Sequence, residues 1–262
     1  MVRGAYYEGM NAWIRVCKAI FYCVTAILGR RIFLGGEQLQ RPGGILLVGN
    51  HISHLDPVYN AVFVRKSGRW PHFMAKSSLW KVPVVGKALT GTQQIPVERN
   101  VGAGQEVLAA AIASMEQGKV VVIYPEGTIT RDPEFWPMKP KAGVALLALS
   151  GDITVLPMAT WGTQRVFVPY IKKGKFKPFP RKDITVKIGE PLDLSAYQGK
   201  PIDSRAIRDV SFLIMGAVKD LVAELRTEPA PAGFFMPPRP PKPAAKAPVR
   251  PLADPGVSDS HQ

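Results

Sequence analysis

The sequence has only two cysteines, Cys17 and Cys23. They lie in one apolar stretch, and their separation places them on different faces of a helix, so no disulfide is expected and a reducing compartment fits. No cysteine–histidine set has zinc spacing, no Gly-Lys-Ser/Thr phosphate loop occurs, and there is no Gly-x-Ser-x-Gly elbow. Structural zinc, P-loop chemistry and the serine-hydrolase elbow are thereby removed. His54 lies beside His51 and Asp56, but no further histidine or carboxylate cluster accompanies them, and no metal is expected. Residues 19–29 carry no charge, yet the run is well short of the roughly 20 residues that span a bilayer. Gly29-Arg30-Arg31 follows it where a signal peptide would show a small-residue cleavage site. Acidic residues are scarce: 20 Asp and Glu against 34 Lys and Arg give a net charge of +14. Such a balance implies anionic partners: nucleic acid, acidic lipid headgroups or a phosphorylated substrate.

The chain of 262 residues, 46% of them hydrophobic, is long enough for one substantial core and shows no internal repeat. Segments 45–48, 72–75, 94–97, 120–124, 153–158 and 184–188 read as short apolar strands. Helical spacing marks 55–64, 104–116, 143–149 and 204–225, the last with Ile207, Val210, Ile214, Val218 and Leu221 on one stripe. Strands alternating with helices predict an α/β fold with a mixed, partly parallel central sheet covered by helices. Ahead of it, residues 13–28 form an apolar helix. Arg15 and Lys18 share a face with Tyr22, the pattern of a helix lying in a membrane interface; packing on the protein's own core is the alternative. Pro229, Pro231, Pro237 and seven further prolines fill the C-terminal stretch. The expected organisation is a membrane-associating segment 1–34, an α/β domain 35–228 and a disordered or polyproline tail 229–262.

Chemistry concentrates where the apolar strands end. The run 45–49 leads directly into Asn50-His51-Ile52-Ser53-His54-Leu55-Asp56-Pro57. Histidine is the side chain whose ordinary chemistry suits proton transfer near neutral pH, and a carboxylate five residues after His51 can fix its tautomer if the helix begins near Ser53 or His54. Ser53 is then the expected N-cap, and Asn50 the residue that bonds its own turn. A capped junction without chemistry explains the same residues. A second strand end, 94–99, closes on Arg99, a permanent cation suited to clamping phosphate or to a surface ion pair. A third, 120–128, ends in Tyr124-Pro125-Glu126-Gly127-Thr128, with Thr130, Arg131, Lys139 and Lys141 close behind. Gly127 permits a sharp turn or a close substrate approach. A fourth, 155–162, is explained equally well by packing.

Together these four blocks resemble the 1-acylglycerol-3-phosphate acyltransferase family of glycerolipid acyltransferases. Asn50, His51, Ser53 and Asp56 match its Asn-His-x-Ser-x-x-Asp block. Pro125, Glu126, Gly127 and Thr128 match its Pro-Glu-Gly-Thr block, and 95–99 and 155–162 are similar to the remaining two. Two positions depart. Ile129 stands where the family often has arginine, and Pro96 where it often has an aromatic residue.

The resemblance implies acyl transfer from acyl-CoA, or an acyl carrier protein, to lysophosphatidic acid, with no cofactor and no metal. It implies His51 and Asp56 as catalytic residues. Asn50, Ser53, Arg99, Glu126, Gly127, Thr128, Arg131 and Lys141 are implied as substrate-binding. Anionic membrane lipid is the expected surface partner, at the cytoplasmic face of the membrane. The segment 165–182 interleaves Arg165, Lys172, Lys173, Lys175, Lys177, Arg181 and Lys182 with aromatics, which suits lipid headgroups or CoA phosphates. A nucleic-acid-binding protein would use the same segment but leaves the His-Asp pair unexplained; no nucleic acid is expected.

Overall fold

The computed structural model describes residues 11–98, 104–167, 169 and 176–237. In chain order the elements are α1 (Ala12–Leu28), β1 (Gly29–Leu34), β2 (Ile45–Gly49), α2 (Asp56–Lys66), β3 (Pro71–Lys76), α3 (Val85–Gly91), β4 (Ile95–Val97), α4 (Gly104–Glu116), β5 (Val120–Ile123), α5 (Gly143–Ala148), β6 (Thr154–Trp161), α6 (Thr163–Val166), β7 (Lys182–Ile188) and α7 (Ser204–Arg226). The strands form one sheet in the order β1-β7-β6-β2-β5-β3-β4, parallel throughout except between β6 and β7. This is the mixed, mostly parallel α/β fold that the alternation of elements predicts.

β2 lies near the middle of the sheet and is buried along its whole length. Its side chains alternate between two cores. Leu46 and Val48 join Val121, Val155 and the inner stripe of α7, which includes Val210, Ile214 and Val218. Ile45 and Leu47 join Val120, Val122, Leu156 and the α2 residues Tyr59, Phe63 and Val64. Both faces are covered, which is why β2 and β5 read as continuous apolar runs. The parallel strands β2, β3, β5 and β6 all end at the same edge of the sheet, where their polar successors meet.

The expected domain boundaries shift at both ends. β1, assigned by sequence to the N-terminal segment 1–34, pairs in parallel with β7 and belongs to the sheet. Its Arg30 bonds Asp183 at 2.6 Å. Charged residues are common on such an edge strand, and here they hide it from an apolar reading. At the other end, 229–237 is not a free tail. Lys219 Nζ donates to Pro231 O at 2.7 Å and stands 4.6 Å over the Phe234 ring, and Lys139 N–H donates to Phe235 O. The rest of the proline-rich tail lies outside the described residues.

The expected N-terminal helix is present as α1, capped by Asn11, whose side chain accepts from Ile14 N–H at 2.9 Å. Only Ile14, Thr25 and Leu28 are buried in it, while Trp13, Val16, Ile20 and Ile27 are exposed. Among the described residues no helix is long and apolar enough to cross a membrane. Cys17 and Cys23 are both free thiols.

Candidate active site

His51 stands on the turn between β2 and α2, and α2 starts at Asp56, slightly later than the spacing predicts. The pair is together all the same: His51 Nδ1 lies 2.9 Å from Asp56 Oδ2. Asp56 is fully buried. Its Oδ2 also accepts from Ile52 N–H at 2.6 Å and Ser53 N–H at 2.8 Å, and its Oδ1 accepts from Thr163 Oγ1–H at 2.5 Å. Converging donors of this kind suit a carboxylate anion. They assign the His51 proton to Nδ1, because Asp56 Oδ2 can only accept there. Nε2 is left to act toward solvent, and the ring is 16% exposed.

The imidazole is also held from its flat side. Tyr124 stacks on it with ring centroids 4.4 Å apart and planes 14° from parallel. Tyr124 is fixed in turn, since Asn60 Nδ2–H donates to its hydroxyl at 3.0 Å and Thr160 Oγ1–H donates to Asn60 Oδ1 at 2.9 Å. Burial, reinforced by the Asp56 charge, pushes the Tyr124 phenol well above its ordinary value, which keeps it neutral.

Glu126 is 4% exposed. Its oxygens accept from two backbone N–H groups, His51 at 3.0 Å and Met138 at 2.9 Å, so it ties the His51 turn to the loop before α5. Burial raises its carboxyl to about 8, against the pull of those two donors. A pKa raised above the unfolded value stabilises the fold fully below the unfolded pKa, and that contribution is lost as pH rises through the folded value. The stability advantage of wild type over Glu126→Gln should therefore narrow between pH 5 and pH 8, by on the order of a few kcal/mol. Urea unfolding of both proteins at the two pH values measures it; a constant gap would contradict it.

The remaining expected site residues divide. Asn50 and Ser53 are fully buried, and their side chains bond backbone groups of the sheet and the loop after it. Asn50 exchanges two hydrogen bonds with the Thr160 backbone, at 3.0 and 2.8 Å, bridging to β6 where a bond within its own turn was expected. Ser53 is not the N-cap of α2, a position Leu55 occupies; its hydroxyl donates to Phe167 O at 3.0 Å. Gly127, Thr128 and Lys141 line a cavity beside His51. Gly127 has φ 69°, and a Cβ there would collide with the Lys141 side chain. Arg131 is exposed and is not among the cavity-lining residues. Ile129, at the departure from the family pattern, is 4% exposed and does line it. Arg99 lies outside the described residues.

The cavity holds about 1050 Å³ and has an apolar wall from several elements: Cys17, Ile20 and Phe21 of α1, Phe73 and Met74 of β3, Ala88 and Leu89 of α3, Leu108 of α4 and Val144 of α5. His51, Lys76, Thr128 and Lys141 are among its polar lining. Lys76 and Thr163 were missed by sequence reasoning. Lys76 ends β3, at the same sheet edge as His51, and Thr163 lies one residue past the fourth block. Among the described residues no three His, Cys, Asp or Glu side chains gather as a metal-ligand group.

Residues 30–161 match the Acyltransferase family model. The chain is 27% identical over 159 residues to a 1-acyl-sn-glycerol-3-phosphate acyltransferase of Borreliella burgdorferi, an alignment covering 60% of this chain and 61% of that protein. It is 32% identical over 164 residues to the enzyme of the same name from Helicobacter pylori, covering 62% and 66%. The chain thus spans between three fifths and two thirds of these relatives. It is also 28% identical over 185 residues to an N-acylphosphatidylethanolamine synthase of Arabidopsis thaliana, covering 64% of each. Among solved structures, the 1-acyl-sn-glycerophosphate acyltransferase PlsC from Thermotoga maritima superposes with a TM-score of 0.61 over 83% of this chain and 81% of that one, at 23% identity, a likeness of fold.

Proposed function

Given that the chain belongs to the Acyltransferase family, we propose that it moves an acyl group from a thioester donor, acyl-CoA or an acyl carrier protein, to the free hydroxyl of 1-acylglycerol-3-phosphate, giving phosphatidic acid. The observation that carries this reading is the His51–Asp56 pair opening onto a large apolar cavity. A volume of about 1050 Å³ reaches the top of the roughly 300–1000 Å³ range of small-molecule pockets and suits a long hydrocarbon chain.

In this reading His51 Nε2 takes the proton of the acceptor hydroxyl while that oxygen attacks the thioester carbonyl. The tetrahedral adduct collapses to an ester and a thiolate, which recovers the proton from His51. Asp56 balances the imidazolium formed in between. No acyl-enzyme intermediate and no cofactor is needed. Lys76, Lys141 and, by sequence, Arg99 supply positive charge for the acceptor phosphate. The assay is thiol release from acyl-CoA with lysophosphatidic acid, comparing wild type with His51→Ala.

Ile129 favours a second reading on the acceptor side. A buried isoleucine in place of the family's frequent arginine leaves no guanidinium at that position, which suits an acceptor whose phosphate is a singly charged diester, a lysophospholipid with an esterified headgroup. A panel of acceptors in the same assay separates the two.

The protein works as a peripheral membrane protein in this proposal. No acidic residue occurs between Glu8 and Glu37 or between Asp56 and Glu98. These stretches supply α1 and the neighbouring segment 77–91, which expose Val16, Ile20, Leu79, Val82 and Val84 beside cations. Val84, at φ 66°, is held in a tight turn closed by Val85 N–H to Pro83 O and is 68% exposed. Apolar tips in an acid-free surface suit an anionic leaflet. Val82→Asp, outside the cavity lining, should lower co-sedimentation with anionic vesicles by about tenfold, with turnover of detergent-dispersed substrate retained. Unchanged vesicle binding would count against this surface.

A further inference from the structure

We infer that Thr163 is a positioning residue for acyl transfer, acting through Asp56; the inference rests on His51 being the general base. Three of the Asp56 donors, His51 Nδ1–H, Ile52 N–H and Ser53 N–H, come from the turn just before it and all meet Oδ2. Among the described residues Thr163 alone reaches Oδ1, at 2.5 Å, from the first position of α6, two residues beyond β6. A carboxylate held at one oxygen still turns about its Cβ–Cγ bond, so the Thr163 hydroxyl sets its plane.

Thr163 is built into this place. It is fully buried. Gly162 before it has φ 105°, a conformation that favours glycine, and a Cβ there would run into the Asp183 carbonyl of β7. Gly162 N–H is tied to Gln164 Oε1 at 2.9 Å. Two residues upstream of the turn, β6 also grips Asn50 through the Thr160 backbone. The segment 160–163, running from the end of β6 into α6, therefore clasps the His51 turn at both of its ends.

The hydroxyl has a second effect, on charge. A donor at Oδ1 draws negative charge away from Oδ2 and so limits how strongly the carboxylate holds a proton on His51. The other ionisable groups near the pair are Glu126 and Tyr124 after β5, His54 on the turn, and Lys76 and Lys141 in the cavity lining, and Thr163→Val alters the charge of none of them.

The test is kcat and KM against pH for Thr163→Val, Thr163→Ser and Thr163→Cys, with His51→Ala run alongside. Valine keeps the shape and removes the donor. Thr163→Val should lower plateau kcat by about ten- to a hundredfold, the size of one hydrogen bond to a charged group, with KM little changed. The acid limb of its kcat/KM profile should move up by about half a unit to one unit. Thr163→Ser should restore both. Thr163→Cys, a weak donor, should fall between them and keeps the test open if the valine variant does not fold. A loss of activity with the acid limb unmoved or lowered overturns the inference, because a merely structural threonine changes the amount of active enzyme and not its titration. Retained turnover in His51→Ala would overturn the base reading itself, a distinct result.

Discussion

Thioester turnover by His51→Ala should fall by about 10²- to 10⁴-fold, the usual worth of a positioned general base. The loss should lie in kcat, with KM for donor and acceptor little altered, because the imidazole contributes one ring to a cavity with many other walls. The fold should survive the change. Asp56 keeps Ile52 N–H, Ser53 N–H and Thr163 Oγ1–H as donors when the imidazole is gone, so the buried charge is not stranded. The nearest substitute, His54, packs edge-on against Phe167 with ring centroids 5.6 Å apart and pairs with no carboxylate among the described residues. It lacks both the tautomer control and the counter-charge that His51 has. Thiol release, normalised to protein whose thermal unfolding matches wild type, measures the effect. Turnover within a few-fold of wild type would remove His51 as base.

The central sheet and the His51–Asp56 pair were legible because each rests on local pattern. A strand buried on both faces is written as an unbroken apolar run, and the polar cluster at its end is only eight residues long. Features that depend on segments distant in sequence were not legible. β1 is an edge strand that opens Gly29-Arg30-Arg31, and only its pairing with β7 reveals it. Ser53 has the chemistry of an N-cap, but its hydroxyl is drawn to the Phe167 carbonyl 114 positions away. Asn50 has the chemistry of a local turn former, but its amide spans to the Thr160 backbone.

The same distinction governs the cavity and the charge around it. Its wall comes from α1, β3, α3, α4 and α5, and no stretch of sequence announces that these helices leave a space between them. A lysine at position 76 is one among many cations until the parallel register puts the end of β3 at the edge where β2 and β5 also end. Glu126, implied by the resemblance as substrate-binding, accepts from the backbone N–H groups of His51 and Met138. The acidic member of the Pro-Glu-Gly-Thr block thus couples the third block to the first, while Asn50 and Thr163 couple the first to the fourth.

Asp56→Asn should lower kcat/KM by about 10²- to 10⁴-fold without disturbing the architecture of the site. Ile52 N–H, Ser53 N–H and His51 Nδ1–H all point at one oxygen, so the asparagine must present its carbonyl oxygen there; its NH₂ group would face three donors. The NH₂ then falls on the Thr163 side, where the hydroxyl can rotate to accept it. Orientation and tautomer of His51 are kept, and what disappears is the negative charge that offsets the imidazolium during proton transfer. The acid limb of the kcat/KM profile should accordingly move to lower pH in Asp56→Asn, opposite to its upward movement in Thr163→Val. Thermal unfolding should stay close to wild type, since every hydrogen bond has a replacement. If instead activity falls with no movement of the limb, Asp56 acts as a cap of the 51–53 turn and not as the counter-charge of the base.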